Sequence, residues 1–194
     1  MLFRSAVLAD IGRRARENLA ARFAHAEAPH STTLERIPAA VKEAELVRFS
    51  GRPGQVVAVH SRQLTRIARR SGSRIILMIR TGDAVSEGSH LALISGGKPV
   101  TSRQLSRCLL VEDERSLRLD PLYALRILTD VALRALSPGT NDPTTAVRAL
   151  DEIEGVLRTA APLPLGPIRL VSEKGSVVLR APTWADIVDL ALLE

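Results

Sequence analysis

Two Asp-Pro steps, Asp120-Pro121 and Asp142-Pro143, mark the parts of this chain whose residue types could do chemistry. The second closes the polar run Ser137-Pro138-Gly139-Thr140-Asn141-Asp142. Hydroxyl, amide and carboxylate groups packed this densely can coordinate a cation, bind a small ligand, or hold their own backbone through short-range hydrogen bonds. An anion fits poorly there, because Asp142 repels what helix-terminal N–H groups attract. Arg115 and Arg134 are cations that could pair with Asp120 or Asp142. The candidate ligand-binding set is therefore Arg115, Asp120, Arg134, Ser137, Asn141 and Asp142, and a capped helix corner without a ligand is the competing reading.

Other chemistry finds little support. His25, His30, His60 and His90 have no metal-ligand spacing with one another or with Cys108. There is no nucleophile elbow and no phosphate-binding glycine loop, so no catalytic motif is recognisable and neither cofactor nor metal is expected. Cys108 is the single cysteine; it cannot form an internal disulfide and reads as a small buried apolar residue. The run Thr81-Gly82-Asp83-Ala84-Val85-Ser86-Glu87-Gly88 resembles the turn of biotinyl- and lipoyl-carrier barrels. Carrier domains need a Lys at an exposed hairpin tip, and Lys98 is misplaced for that, which leaves barrel-sandwich geometry without carrier function.

The elements that must position these residues follow from periodicity. Ser5 to Phe23 carries an apolar stripe at Val7/Leu8, Ile11, Ala15, Leu19 and Phe23, which predicts an amphipathic helix, and residues 28–33 read as a linker. Strands are expected at Gln55 to His60, Arg74 to Arg80 and Leu91 to Ile94, the middle one apolar on both faces and hence central. Between the first two, Ser61 is placed to cap a helix carrying Leu64, Ile67 and Ala68 that ends near Gly72. A short helix is expected near Ser102 to Leu109.

Asp120-Pro121 is a strong helix start, since Asp accepts an orphan N–H and Pro fits the first turn. That helix should run to about Leu136 with Leu122, Leu125, Leu128, Ala132 and Leu136 inward. Asp142-Pro143 launches a second, with Ala146, Val147, Leu150, Ile153 and Leu157 inward, so the two form an αα corner. A β-hairpin over 168–180 turns at Glu173-Lys174-Gly175, and Thr183-Trp184-Ala185-Asp186 opens a last helix with Trp184, Ile187, Val188, Ala191 and Leu192 inward. That helix reaches Glu194 without a C-cap, which predicts truncation. The fold class is α+β: a small β-rich, barrel-sandwich-like unit packed on a helical unit with a C-terminal hairpin and helix. The expected divisions are a basic amphipathic helix over 1–28, a β-rich unit with an inserted helix over 29–97, and a helical unit over 98–194.

Charge is uneven. Residues 1–80 hold 15 Lys and Arg against 6 Asp and Glu, whereas 81–194 hold 12 against 15. The basic front suggests an anionic neighbour, with Arg13, Arg14, Arg16 and Arg22 as candidate membrane-surface residues, although such a helix can equally dock on its own domain. Nucleic acid is a poor rival: aromatics are 3% of the chain, too few for a stacking platform, and Asp142, Asp151, Glu152 and Glu154 would face the phosphates in a helix-turn-helix pose. No stretch reaches the roughly 20 apolar residues that span a bilayer, and nothing in the early residues resembles a signal peptide.

The runs Asp120-Pro121-Leu122-Tyr123-Ala124-Leu125-Arg126, Asp130 to Gly139 and Asn141-Asp142-Pro143-Thr144-Thr145-Ala146 resemble the signature region of a bacterial predicted-membrane-protein family, the domain of unknown function numbered twenty-two fifty-four. The Ser50-Gly51 strand unit, the Gly82-Asp83 turn and the Ala181-Pro182-Thr183-Trp184 helix start extend it over most of the chain. Leu119 departs from the pattern, which implies a polar residue before Asp-Pro. The resemblance implies membrane-spanning helices upstream of this segment and a last helix that continues past Glu194. It also implies attachment to the cytoplasmic membrane with this portion on the cytoplasmic side, where the arginine excess belongs. The expected partner is therefore the membrane, through those helices and the basic front segment; a homo-oligomer is a further option that the sequence leaves open. The family resemblance implies no reaction.

Overall fold

A computed structural model of the chain describes residues 2–24 and 44–192, with side chains from Ser5 onward. In chain order the elements are α1 (Leu2–Phe23), β1 (Glu45–Arg48), β2 (Gly54–Val59), α2 (Ser61–Ser71), β3 (Arg74–Leu77), β4 (Ala84–Val85), β5 (His90–Ser95), α3 (Ser102–Ser106), β6 (Leu109–Glu112), α4 (Pro121–Leu136), α5 (Pro143–Ala160), β7 (Ile168–Ser172), β8 (Gly175–Leu179) and α6 (Trp184–Leu192). The residues expected to form a linker at 28–33, with His25 and His30, lie outside the described residues. The chain divides into two compact units of interleaved sequence, a helical one (Met1–His25, Ser116–Leu165, Pro182–Glu194) and a sheet one (Ala26–Arg115, Gly166–Ala181).

In the helical unit α1 packs on α4 and α5, and α6 packs on both of the latter. The α1 stripe is buried as its spacing predicts: Leu8, Ile11, Ala15, Leu19 and Phe23 face inward, while Val7 is exposed. Helices α4 and α5 begin and α4 ends where the Asp-Pro and Ser-Pro-Gly signals place them. Their inner faces match expectation in part. Leu122, Leu125, Leu128, Ala132, Ala146 and Ile153 are buried as expected, but Leu136, Val147 and Leu150 are exposed, and Ala124, Ala135, Ala149 and Ala160 are buried as well. In α6 Ile187 and Ala191 are buried, but Trp184 and Leu192 are exposed. The expected capping box is formed: Thr183 N and Oγ1 donate to Asp186 Oδ2 at 2.9 and 2.6 Å, and Asp186 N donates to Thr183 Oγ1 at 3.1 Å.

The sheet unit contains two open sheets, so the described strands do not close into the barrel-sandwich expected from the turn at 81–88. One sheet has five strands in the order β1-β5-β3-β8-β7, the other three in the order β4-β2-β6. Strand β3 is central, as its two apolar faces require, pairing antiparallel to β5 and parallel to β8. The hairpin β7–β8 thus completes this sheet. Strand β6 was not legible in the sequence as a strand. Leu109–Glu112 is a short apolar run beside a charged piece, and only its antiparallel partner β2 stabilises it as extended.

Helix α2 packs chiefly over β8 and reaches β7. Ser61 is its first residue rather than its cap; His60 holds the cap position without a side-chain hydrogen bond, and Gly72, at φ 72°, closes the other end in the left-handed conformation only glycine adopts freely. A tight junction fixes α2 against the hairpin: a Cβ on Gly175 would overlap the backbone carbonyl of Ala68 and lie 2.8 Å from Ser73 O. Leu64, Ala68, Ile75, Leu91, Leu105 and Val177 form the centre of the unit's core.

Candidate functional site

The polar corner between α4 and α5 is held by its own groups. Ser137 Oγ donates to Arg134 O at 2.7 Å and to Thr140 Oγ1 at 3.3 Å. Thr140 N and Asn141 N donate to Ser137 O, and Asp142 N donates to Ala135 O at 2.8 Å. The Asp142 carboxylate accepts from Thr145 N at 3.1 Å and Thr145 Oγ1 at 2.6 Å, which caps α5. Asn141 is the one described non-glycine residue with positive φ, 42°, a conformation that Asn tolerates better than other side chains. The polar atoms that made this run a ligand candidate are thereby largely engaged in turning the chain. The Arg134 side chain is exposed, and it is the Arg134 carbonyl that enters the corner.

Asp120 lies at the other end of α4, about 24 Å from the corner at 1.5 Å per residue. It is 2% exposed, and its Oδ1 accepts from Leu122 N at 3.1 Å and Tyr123 N at 3.2 Å. The cation beside it is Arg22, which donates to Leu119 O at 3.2 Å. Burial lowers the Arg22 pKa, and the Asp120 charge opposes that shift. Arg22 therefore serves as a half-buried tie between the end of α1 and the start of α4. The candidate set accordingly separates: Arg134, Ser137, Asn141 and Asp142 share the corner, while Asp120 lies at the far end of α4 beside Arg22.

Arg13, Arg14 and Arg16 of α1 are also engaged. Arg14 Nε donates to Asp10 at 2.6 Å, Arg13 donates to Glu17 at 2.9 Å and to Asp10, and Arg16 donates to Glu152 of α5 at 2.7 Å. The Arg14 hydrogen bond is the largest cause holding the Asp10 carboxyl below its ordinary range. Glycines make the Arg16–Glu152 bridge possible: a Cβ on Gly12 would overlap Glu152, and one on Gly155 would lie 2.8 Å from Arg16 Nη1. Arg13, Arg14, Glu17, Asn18 and Arg118 line an open polar cleft of about 430 Å³.

The described residues contain no helix long and apolar enough to cross a membrane. A family profile described as "Predicted membrane protein (DUF2254)" matches residues 3–194. The chain belongs to this family. The capped Asp-Pro helix starts and the Ser-Pro-Gly stop that suggested DUF2254 are thus the scaffold of its helical unit. An uncharacterised protein of Mycobacterium bovis and one of Mycobacterium tuberculosis are each 33% identical to this DUF2254 chain over 119 residues. That stretch is 56% of this chain and 23% of each relative, so the chain spans under a quarter of the length of the curated relatives it matches. No solved structure matches it.

Sequence reasoning passed over one group of residues. Between Glu45 and Asp83 there is no acidic residue, and Arg62, Arg66, Arg69 and Arg70 of α2 fall in that stretch. All four are exposed, and none has an ion pair or hydrogen bond from its side chain among the described residues. The acid-free run was the signal; the overall charge count concealed it.

Proposed function

We propose that this segment is the part of a DUF2254 membrane protein that works outside the bilayer, on the cytoplasmic face, as an interaction or regulatory module. The observation that carries the reading is the family match along 3–194 in a chain whose described helices cannot cross a membrane. The arginine excess of residues 1–80, 15 Lys and Arg against 6 Asp and Glu, supports the cytoplasmic side, because positive charge near spanning segments is retained there. An interaction role is favoured over catalysis by the corner, whose carboxylate and hydroxyls are occupied in capping α5. The reading does not require α1 to insert into lipid, since its apolar stripe faces α4 and α5.

Topology is tested by fusing a reporter to this segment in the full-length protein and expressing it in the bacterial inner membrane. Fluorescence from a green fluorescent protein fusion, with an alkaline phosphatase fusion inactive, is the expected pair of results. Active phosphatase with a dark fluorescent fusion would place the segment on the opposite side and end the proposal.

A further inference from the structure

The sheet unit ends in a short, regular edge strand, β7, whose one charged residue is the exposed Arg169. Among the described residues β7 pairs with β8 alone, through five regular residue pairs from Ile168–Leu179 to Ser172–Gly175. The opposite edge strand, β1, carries a register shift between Val47 and Arg48, a common way to keep an edge from accepting another strand. β7 has no such irregularity, and Val171 on it is 69% exposed. Every edge strand presents a row of backbone N–H and C=O groups without a neighbour.

Helix α2 overhangs this margin. Between the two lies an open groove of about 360 Å³, with Arg62, Thr65, Arg66 and Arg69 on the helix side and Leu170 and Ser172 on the strand side. The three arginines recur at four and three residues, so they share one helix face. They have no acidic partner among the described residues. Along the helix axis they fall at about 0, 6 and 10.5 Å. Side chains on one side of an extended peptide recur every ~6.7 Å, so carboxylates at alternate positions of a strand come close to matching the first two guanidiniums and approach the third.

We infer that this groove binds an extended acidic segment of a partner protein, which adds as a strand to β7 and sets alternate carboxylates against Arg62, Arg66 and Arg69. Backbone pairing along the edge supplies affinity, and the guanidiniums supply selection for acid at every second residue. Leu170 and the aliphatic stems of the arginines receive any apolar portion of the bound side chains. The inference goes beyond the proposed topology and does not depend on it, because the groove lies within the sheet unit.

The test is a titration of the folded chain with a short soluble peptide alternating Glu and Val, read by fluorescence anisotropy at low and moderate salt. Salt-sensitive, saturable binding is expected, weakened by about tenfold or more in the triple variant Arg62→Glu, Arg66→Glu, Arg69→Glu, whose exposed positions leave the circular dichroism unchanged. A peptide of the same sequence with alternate backbone amides N-methylated should also lose binding, and this arm requires no change in the protein. Any one of three results would overturn the inference: no binding, equal binding of the N-methylated peptide, or equally tight binding of a single-stranded oligonucleotide of matched charge.

Discussion

Helices α1 and α2 are both rich in arginine, yet the structure uses their charge in opposite ways. In α1 Arg13 and Arg14 find Asp10 and Glu17 three or four residues away, and Arg16 finds Glu152 of α5. In α2 no acid occurs within helical reach, and Arg62, Arg66 and Arg69 line a groove that holds no counter-charge among the described residues. Net charge is therefore a poor guide to where an anionic partner binds. What decides is whether acids of matching spacing are folded against the cations. The more basic beginning of the chain attracts attention to α1, but the uncompensated cations with a built surface around them are in α2.

Four perturbations would break or sharpen this contrast. The largest effect is expected at Gly175, where any Cβ meets the Ala68 carbonyl and would push α2 off the hairpin. Gly175→Ala should cost about 1–3 kcal/mol in denaturant unfolding and abolish peptide binding in the groove. Next comes Asp120→Ala, which removes the α4 cap and the carboxylate beside Arg22, at a cost of about 1–2 kcal/mol. Asp120→Asn should recover much of that loss, because the amide oxygen still accepts the Leu122 and Tyr123 N–H groups; failure to recover would assign the loss to the Arg22 charge interaction.

The Arg16–Glu152 bridge is only partly exposed, at 32% and 22% for the two side chains, and links separate helices. A double-mutant cycle with Arg16→Ala and Glu152→Ala should return a coupling of about 0.5–1 kcal/mol. The smallest effect belongs to Asp10, whose side chain is partly exposed on α1. Its pKa is depressed by Arg14, so its contribution is present above the unfolded carboxylate range and is lost as pH falls through the folded value. Asp10→Asn should flatten the acid limb of a stability–pH curve slightly and leave neutral stability nearly unchanged.

Much of the helical unit was legible in the sequence because its signals are local. Asp120-Pro121 and Asp142-Pro143 each carry a cap and a first-turn proline, and both helices start where those residues place them. The inward faces were less legible. Leucine spacing pointed to Leu136 and Leu150, yet both are exposed, because burial is a property of the packed helices and not of either alone. In the sheet unit β3 was recognisable from its two apolar faces, but the open two-sheet arrangement and β6 depend on pairings between distant residues, such as Val56 with Val111. The corner residues stood out by composition, and what composition could not say was that Asp142 turns back onto Thr145. Arg22 was read as a surface cation because only the fold brings it beside Asp120.

The separation of roles between the two helices is tested most directly by comparing two charge-reversal variants for both melting temperature and affinity for the alternating Glu–Val peptide. One carries Arg62→Glu, Arg66→Glu and Arg69→Glu; the other carries Arg13→Glu, Arg14→Glu and Arg16→Glu. The α2 variant should keep its stability to within about 0.5 kcal/mol and lose the peptide, while the α1 variant should melt earlier and bind the peptide as before. Equal loss of peptide binding in both, or an α2 variant that unfolds while the α1 variant does not, would contradict it.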